Sequence, residues 1–116
     1  MLTISPKSYQ AFSDIAEAQF TAKLAQVVRE AVPDLATEPE PAFSAQIHQL
    51  VEQARSYGLC TEQTIGAFAI TAGLLGTDFV KDHPAVKQIL SGNESEFRKA
   101  ELLEAFTLEL FQALDQ

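Results

Sequence analysis

Between Thr61 and Gly76 the chain carries a helix-length run without a polar side: Ile65, Ala67, Phe68, Ala69, Ile70, Ala72, Leu74 and Leu75 leave only Thr64, Thr71 and small glycines to meet water. A helix that is apolar all round is a buried one. At about 14 residues it falls short of the roughly 20 that span a bilayer, so the burial must be inside protein. Gly66 and Gly73 fall on one face of this helix, where a neighbouring helix can approach closely. Glycine inside a helix costs about 1 kcal/mol against alanine, which marks the pair as packing positions. Phe68 and Ile70 are both expected in the core, and every other segment has to be arranged around this one.

The flanking segments supply the covering faces. Ser5 before Pro6 reads as a helix start, with Ile4 and Tyr9 spaced as a hydrophobic staple. From there Tyr9, Phe12, Ile15, Ala16, Phe20, Leu24, Val27, Val28 and Ala31 recur every three or four residues until Pro33 stops the helix. The segment from Pro33 to Pro41 holds three prolines and three acids and reads as a stiff extended linker. A second amphipathic helix turns Phe43, Ile47, Leu50, Val51, Ala54 and Tyr57 inward and ends at Gly58, the usual place of a left-handed cap. Thr61 is the expected N-cap of the central helix, with only Leu59 and Cys60 between it and Gly58.

Beyond Gly76, TDFVKDHP reads as a turn, with Asp82 or His83 capping a short helix from Pro84 to Leu90 that turns Val86, Ile89 and Leu90 inward. Asn93 and Glu96 have the spacing of a capping box for the last helix. That helix sets Phe97, Ala100, Leu103, Phe106, Leu110 and Leu114 on one stripe and Glu101, Glu104 and Glu109 on the other side. No run alternates as a strand would. The expectation is an all-α fold: one domain over residues 1–116, a single compact bundle of four principal helices plus one short helix, with the central helix buried.

Charge and chemistry narrow the function. Eight basic residues against sixteen acidic ones give a formal charge of -8, which repels phosphate backbones and anionic membranes, so no nucleic acid is expected as partner. No segment has transmembrane length, so no membrane insertion is expected either. Cys60 is the only cysteine, which excludes an internal disulfide, and the N-terminus shows no signal-peptide pattern, so the expected location is cytoplasmic. His48 reads as a surface or boundary histidine, His83 as a helix cap, and Cys60 as half-buried beside an N-cap. No metal-ligand spacing, nucleophile elbow, phosphate loop or dinucleotide fingerprint occurs. No catalytic residue, metal or cofactor is therefore assigned.

The string ARSYGLCTEQTIGAFAITAGLLGTDF, residues 54–79, resembles a pattern found in small helical bacterial proteins encoded beside type VI secretion effectors. The resemblance rests on the residues before Tyr57 and Gly58, on the acid Glu62 after the cap, on the Gly76 to Phe79 turn, and on the Phe-rich first helix. It departs in the alanine-rich and glycine-rich central helix and in the acidic, proline-rich linker. What it implies is a non-enzymatic adaptor or accessory partner of a co-encoded effector, with an immunity protein that neutralises a co-encoded toxin as the alternative. Two further readings stand beside it: a small-ligand binder or enzyme with an inter-helix pocket near Cys60, His48 or His83, and a homodimer. For the protein-binding reading, the expected contact acids are Glu38 and Glu40 of the linker and Glu101 and Glu104 of the last helix.

Overall fold

The computed structural model describes the backbone of residues 6–114 and the side chains of residues 16–114. The expected cap at Ser5 and the staple from Ile4 to Tyr9 lie outside those side chains. Six α-helices follow in order: α1 (Pro6–Ala31), α2 (Ala42–Ser56), α3 (Glu62–Leu75), α4 (Phe79–Asp82), α5 (Pro84–Ser91) and α6 (Glu96–Leu114). There is no strand among the described residues, and the fold is an all-α bundle. α3 is the hub: α1, α2, α4 and α6 all pack on it, and α5 docks on α4 and α6.

The core forms where the apolar stripes meet α3. Phe68 is fully buried at its centre, with Phe79 at 5.0 Å and Tyr57 at 6.3 Å between ring centroids. Val28 of α1, Ile47, Val51 and Ala54 of α2, Val86 and Leu90 of α5 and Leu103 of α6 close around it. Leu59 is also fully buried, so the two-residue link between Gly58 and Thr61 is fastened into the core. Gly58 and Gly76, at φ 84° and 103°, end α2 and α3 in conformations that a side chain at Cβ would resist. Gly76 departs from a left-handed helical cap in its ψ of 155°, which turns the chain out into an extended exit.

The glycine pair of α3 lies on the face that meets α1 and the turn after it. A methyl group at Gly73 would sit 3.0 Å from Val32 Cγ2 and 3.2 Å from Leu35 Cδ1, whereas one at Gly66 would touch only Leu24 Cδ1, at 3.9 Å. The close approach is thus at Gly73 alone.

Four local expectations are corrected. The linker is not extended: Pro33–Leu35 forms a 3-10 turn, and the chain folds back over the end of α1. Arg29 holds it there, donating to the carbonyls of Leu35 (3.1 Å), Ala36 (3.0 Å) and Glu38 (2.7 Å) while its guanidinium lies 4.1 Å from the centre of the Phe43 ring. Phe79–Asp82 is a turn of helix, because Phe79 and Val80 are core residues and burying both requires their backbone to be paired internally. His83 precedes α5 without a side-chain capping bond, and its ring instead packs edge-to-face with Phe106, the two centroids 5.4 Å apart.

The fourth correction concerns α6. Asn93 and Glu96 do not form a capping box; Ser95 caps the helix, its Oγ accepting from Arg98 N at 3.2 Å. Glu96 reaches across to α3, where one carboxylate oxygen accepts from Cys60 N (3.3 Å), Thr61 N (3.0 Å) and Thr64 Oγ1 (2.9 Å). Thr61 N, at the N-cap, is one of the amides that a helix N-terminus leaves unpaired, and the positive end of the helix dipole favours a carboxylate there. Lys99 does the complementary work at the other polarity, donating to the Tyr57 carbonyl just past α2 at 2.9 Å. The inward stripe of α6 is consequently Lys99, Leu103 and Thr107, and Phe97 is rotated outward.

Candidate functional site

The helix that reads as apolar on every side is not covered on every side. Thr64 and Thr71, expected to meet water, are buried: Thr64 joins the network of Thr61 and Glu96, and Thr71 Oγ1 donates to the Ala67 carbonyl at 2.8 Å. A threonine whose hydroxyl is satisfied within its own helix can be buried at little cost. The side left open carries Gly66, Ala67, Ile70 and Leu74, with Ile70 half-buried and Leu74 41% exposed.

Over that open side α1 and α6 each pack on α3 with at most a marginal contact between them. The gap is a groove of about 700 Å³. Its floor is the α3 ridge, one wall is Phe20, Lys23, Leu24 and Val27 of α1, and the other wall is Phe97, Ala100, Glu101, Glu104, Thr107 and Leu108 of α6. Six large apolar side chains are markedly exposed among the described residues, and four of them, Val27, Leu74, Phe97 and Leu108, line this one groove. Scattered exposed leucines are ordinary; here four of the exposed apolar side chains gather on one groove.

The rim is charged unequally. Lys23 is the one basic residue lining the groove and lies 3.3 Å from Glu62. Glu101 pairs with Arg98 at 3.2 Å, and Glu104 has no ion pair among the described residues. Two of the four expected contact acids therefore border the groove. The other two lie elsewhere: Glu38 edges a smaller cavity of about 210 Å³ beside Leu35 and Phe43, and Glu40 is engaged in the linker. Its carboxylate accepts from Ser44 Oγ and pairs with Arg29 at 3.0 Å, and these two partners hold its pKa below the ordinary carboxylate value.

Potential chemistry is dispersed. His48, His83 and Cys60 sit in three separate environments, on outer α2, against Phe106 and beside Glu96 respectively. Cys60 is exposed, not half-buried as expected. Among the described residues one group of side chains could offer three metal ligands, Glu17, His48 and Glu52. Both oxygens of Glu17 already accept from Arg55, at 2.7 and 2.9 Å, and that guanidinium's charge disfavours a cation beside it. That fork also depresses the Glu17 pKa and raises that of Arg55.

The groove escapes sequence reading because its members come from three distant segments and its defining property is a missing contact. The one available signal was that α3 is apolar on every side, the side left open included. No known protein family, curated protein or solved structure matches this chain.

Proposed function

We propose that the chain is a non-enzymatic protein-binding module that takes an apolar segment of another protein into the groove between α1, α3 and α6. The observation that carries this reading is the convergence of Val27, Leu74, Phe97 and Leu108 on one half-open trough. No helix among the described residues is long and apolar enough to cross a membrane, and a formal charge of -8 disfavours an anionic lipid surface as what covers the patch. An exposed thiol at Cys60 suits a reducing compartment, which supports cytoplasmic residence as part of the proposal.

The partner class comes from the resemblance of residues 54–79 alone: an effector encoded beside this chain, for which the module acts as adaptor or accessory protein. Co-expression with the products of the neighbouring genes tests it. One of them is expected to co-purify with the wild type and to be lost with Ala67→Arg, which fills the groove floor from a half-exposed helical position. An adaptor leaves the effector's activity intact, whereas an immunity protein abolishes it in a purified mixture. Absence of any co-purifying neighbour, together with turnover of a small substrate by the isolated chain, would refute the reading.

A further inference from the structure

The shape and charge of the groove say more about its occupant than that it is apolar. Gly66, Ile70 and Leu74 are four residues apart and form a straight ridge of the kind that packs into the groove of another helix. The ridge is about 12 Å long at 1.5 Å per residue, the length of two to three helical turns. Gly66 and Ala67 on the floor and Ala100 on the α6 wall are small, so a backbone can come close. All three sides of the trough are helices and no strand exists among the described residues, which leaves no sheet edge for an extended peptide to join.

A small molecule fits less well. Ligand pockets of this volume bury most of their ligand's surface. Here the walls themselves stand open, with Phe97 51% and Leu108 55% exposed. An amphipathic helix needs a groove that covers one face and leaves the other in water. The charge of the rim then selects among helices. Lys23 is answered by Glu62 and Glu101 by the exposed Arg98, so Glu104 is the uncompensated acid on the α6 side, and the charged residues lining the groove are three acids to one base. A second copy of this chain, with sixteen acids to eight bases, would bring like charge to that rim.

We infer that the groove binds a single amphipathic helix of another protein, about three turns long, with aliphatic residues at i, i+3 or i+4 and i+7 and Lys or Arg on the flank that meets α6. This rests on the protein-binding reading and specifies its ligand. Such a helix completes the bundle, filling the gap between α1 and α6. The basic flank faces Glu101 and Glu104, and the bare face of the helix remains in solvent.

Two synthetic peptides of roughly 15 residues test it, identical in their leucine stripe and differing in flanks of Lys or of Glu. Each is titrated into the full-length labelled protein with amide shifts as the readout. The Lys-flanked peptide is expected to move Gly66, Ala67, Ile70 and Ala100, to bind at least roughly tenfold more tightly than its Glu-flanked isomer, and to weaken with salt. Glu101→Lys combined with Glu104→Lys should reverse the order of the two peptides. Ala67→Arg should abolish both, and Leu74→Glu, at an exposed position, serves where Ala67→Arg melts abnormally. Equal binding of the two isomers, shifts outside the groove, binding of neither, or a groove already covered in a homodimer would each overturn the inference. The broader reading is tested separately. A partner protein that depends on Ala67 while neither peptide binds leaves protein docking in place and removes the helix; a partner that ignores Ala67→Arg removes the groove altogether.

Discussion

Arg29 binds three carbonyls, one carboxylate and one aromatic face, and it converts a proline-rich segment from an extended spacer into a folded corner. Hydrogen bonds that involve a charged group contribute about 1.5–3 kcal/mol, and less where water reaches them, as it does at three of these four. Arg29→Ala is therefore expected to lower stability by about 1–3 kcal/mol in urea melts, and Arg29→Lys to recover only part, since an ammonium cannot span the same fork of acceptors. A neutral Arg29→Ala would mean that the corner is held by its prolines. Glu96 makes a second case at this scale. Its pKa is depressed, first by the Thr64 hydroxyl and then by the amides of Thr61 and Cys60. A carboxylate depressed in the folded state contributes stability that is present above its unfolded pKa and is lost as pH falls through the folded value. Glu96→Gln should thus be less stable than the wild type at neutral pH, and the gap should close below the ordinary carboxylate range of roughly 4. Parallel pH profiles for the two proteins would contradict this role. Neither residue's role was legible in the sequence, because Glu96 had a plausible local partner in Asn93 and Arg29 had nothing to distinguish it from a solvated end of α1.

α3 separates what the sequence pattern says about elements from what it cannot. Its length, its Thr61 cap, its end at Gly76 and the burial of Phe68 all follow from propensity, capping and composition. Its rotation does not, since a helix apolar all round has no moment to orient it, and the two threonines that suggest a wet side are the ones turned inward. α6 fails in a related way: its regular apolar stripe put Phe97 inside, but long-range partners for Glu96 and Lys99 set a different rotation. The two positions expected alike in α3 should now separate. Phe68→Ala should cost about 3–5 kcal/mol, the range for an aromatic removed from a packed core. Ile70→Ala, on the half-open side, should cost under about 2 kcal/mol. The glycines should separate as well. Gly66→Ala has room for its methyl and should be neutral or stabilising by up to about 1 kcal/mol, whereas Gly73→Ala presses on Val32 and Leu35 and should destabilise. Equal costs at Gly66 and Gly73 would mean that α1 shifts freely against α3.

At the scale of the whole molecule, α1, α2, α4 and α6 pack on α3, and the groove left between α1 and α6 carries four of the six markedly exposed large apolar residues and an acidic wall. The all-α bundle was legible in helix periodicity and stop signals, while the groove depends on how far apart two helices distant in sequence stand on a third. Glu101 and Glu104 were singled out from charge alone and do border the groove; Glu38 and Glu40 were singled out on the same ground, and Glu40 is bound up in the Arg29 corner. Substitutions that probe association by charge are thus cleaner at Glu101 and Glu104, whose one ion pair among the described residues is the exposed Arg98 contact. The most direct test of where a partner docks is amide hydrogen exchange on the full-length protein with and without its bound partner. Protection is expected to rise along Gly66 to Leu74 of α3, around Val27 of α1 and from Ala100 to Leu108 of α6, with the outer side of α2 from Gln46 to Gln53 unchanged. Protection confined to outer α2 or to the linker at Glu38 and Glu40, with the groove amides unaltered, would contradict it.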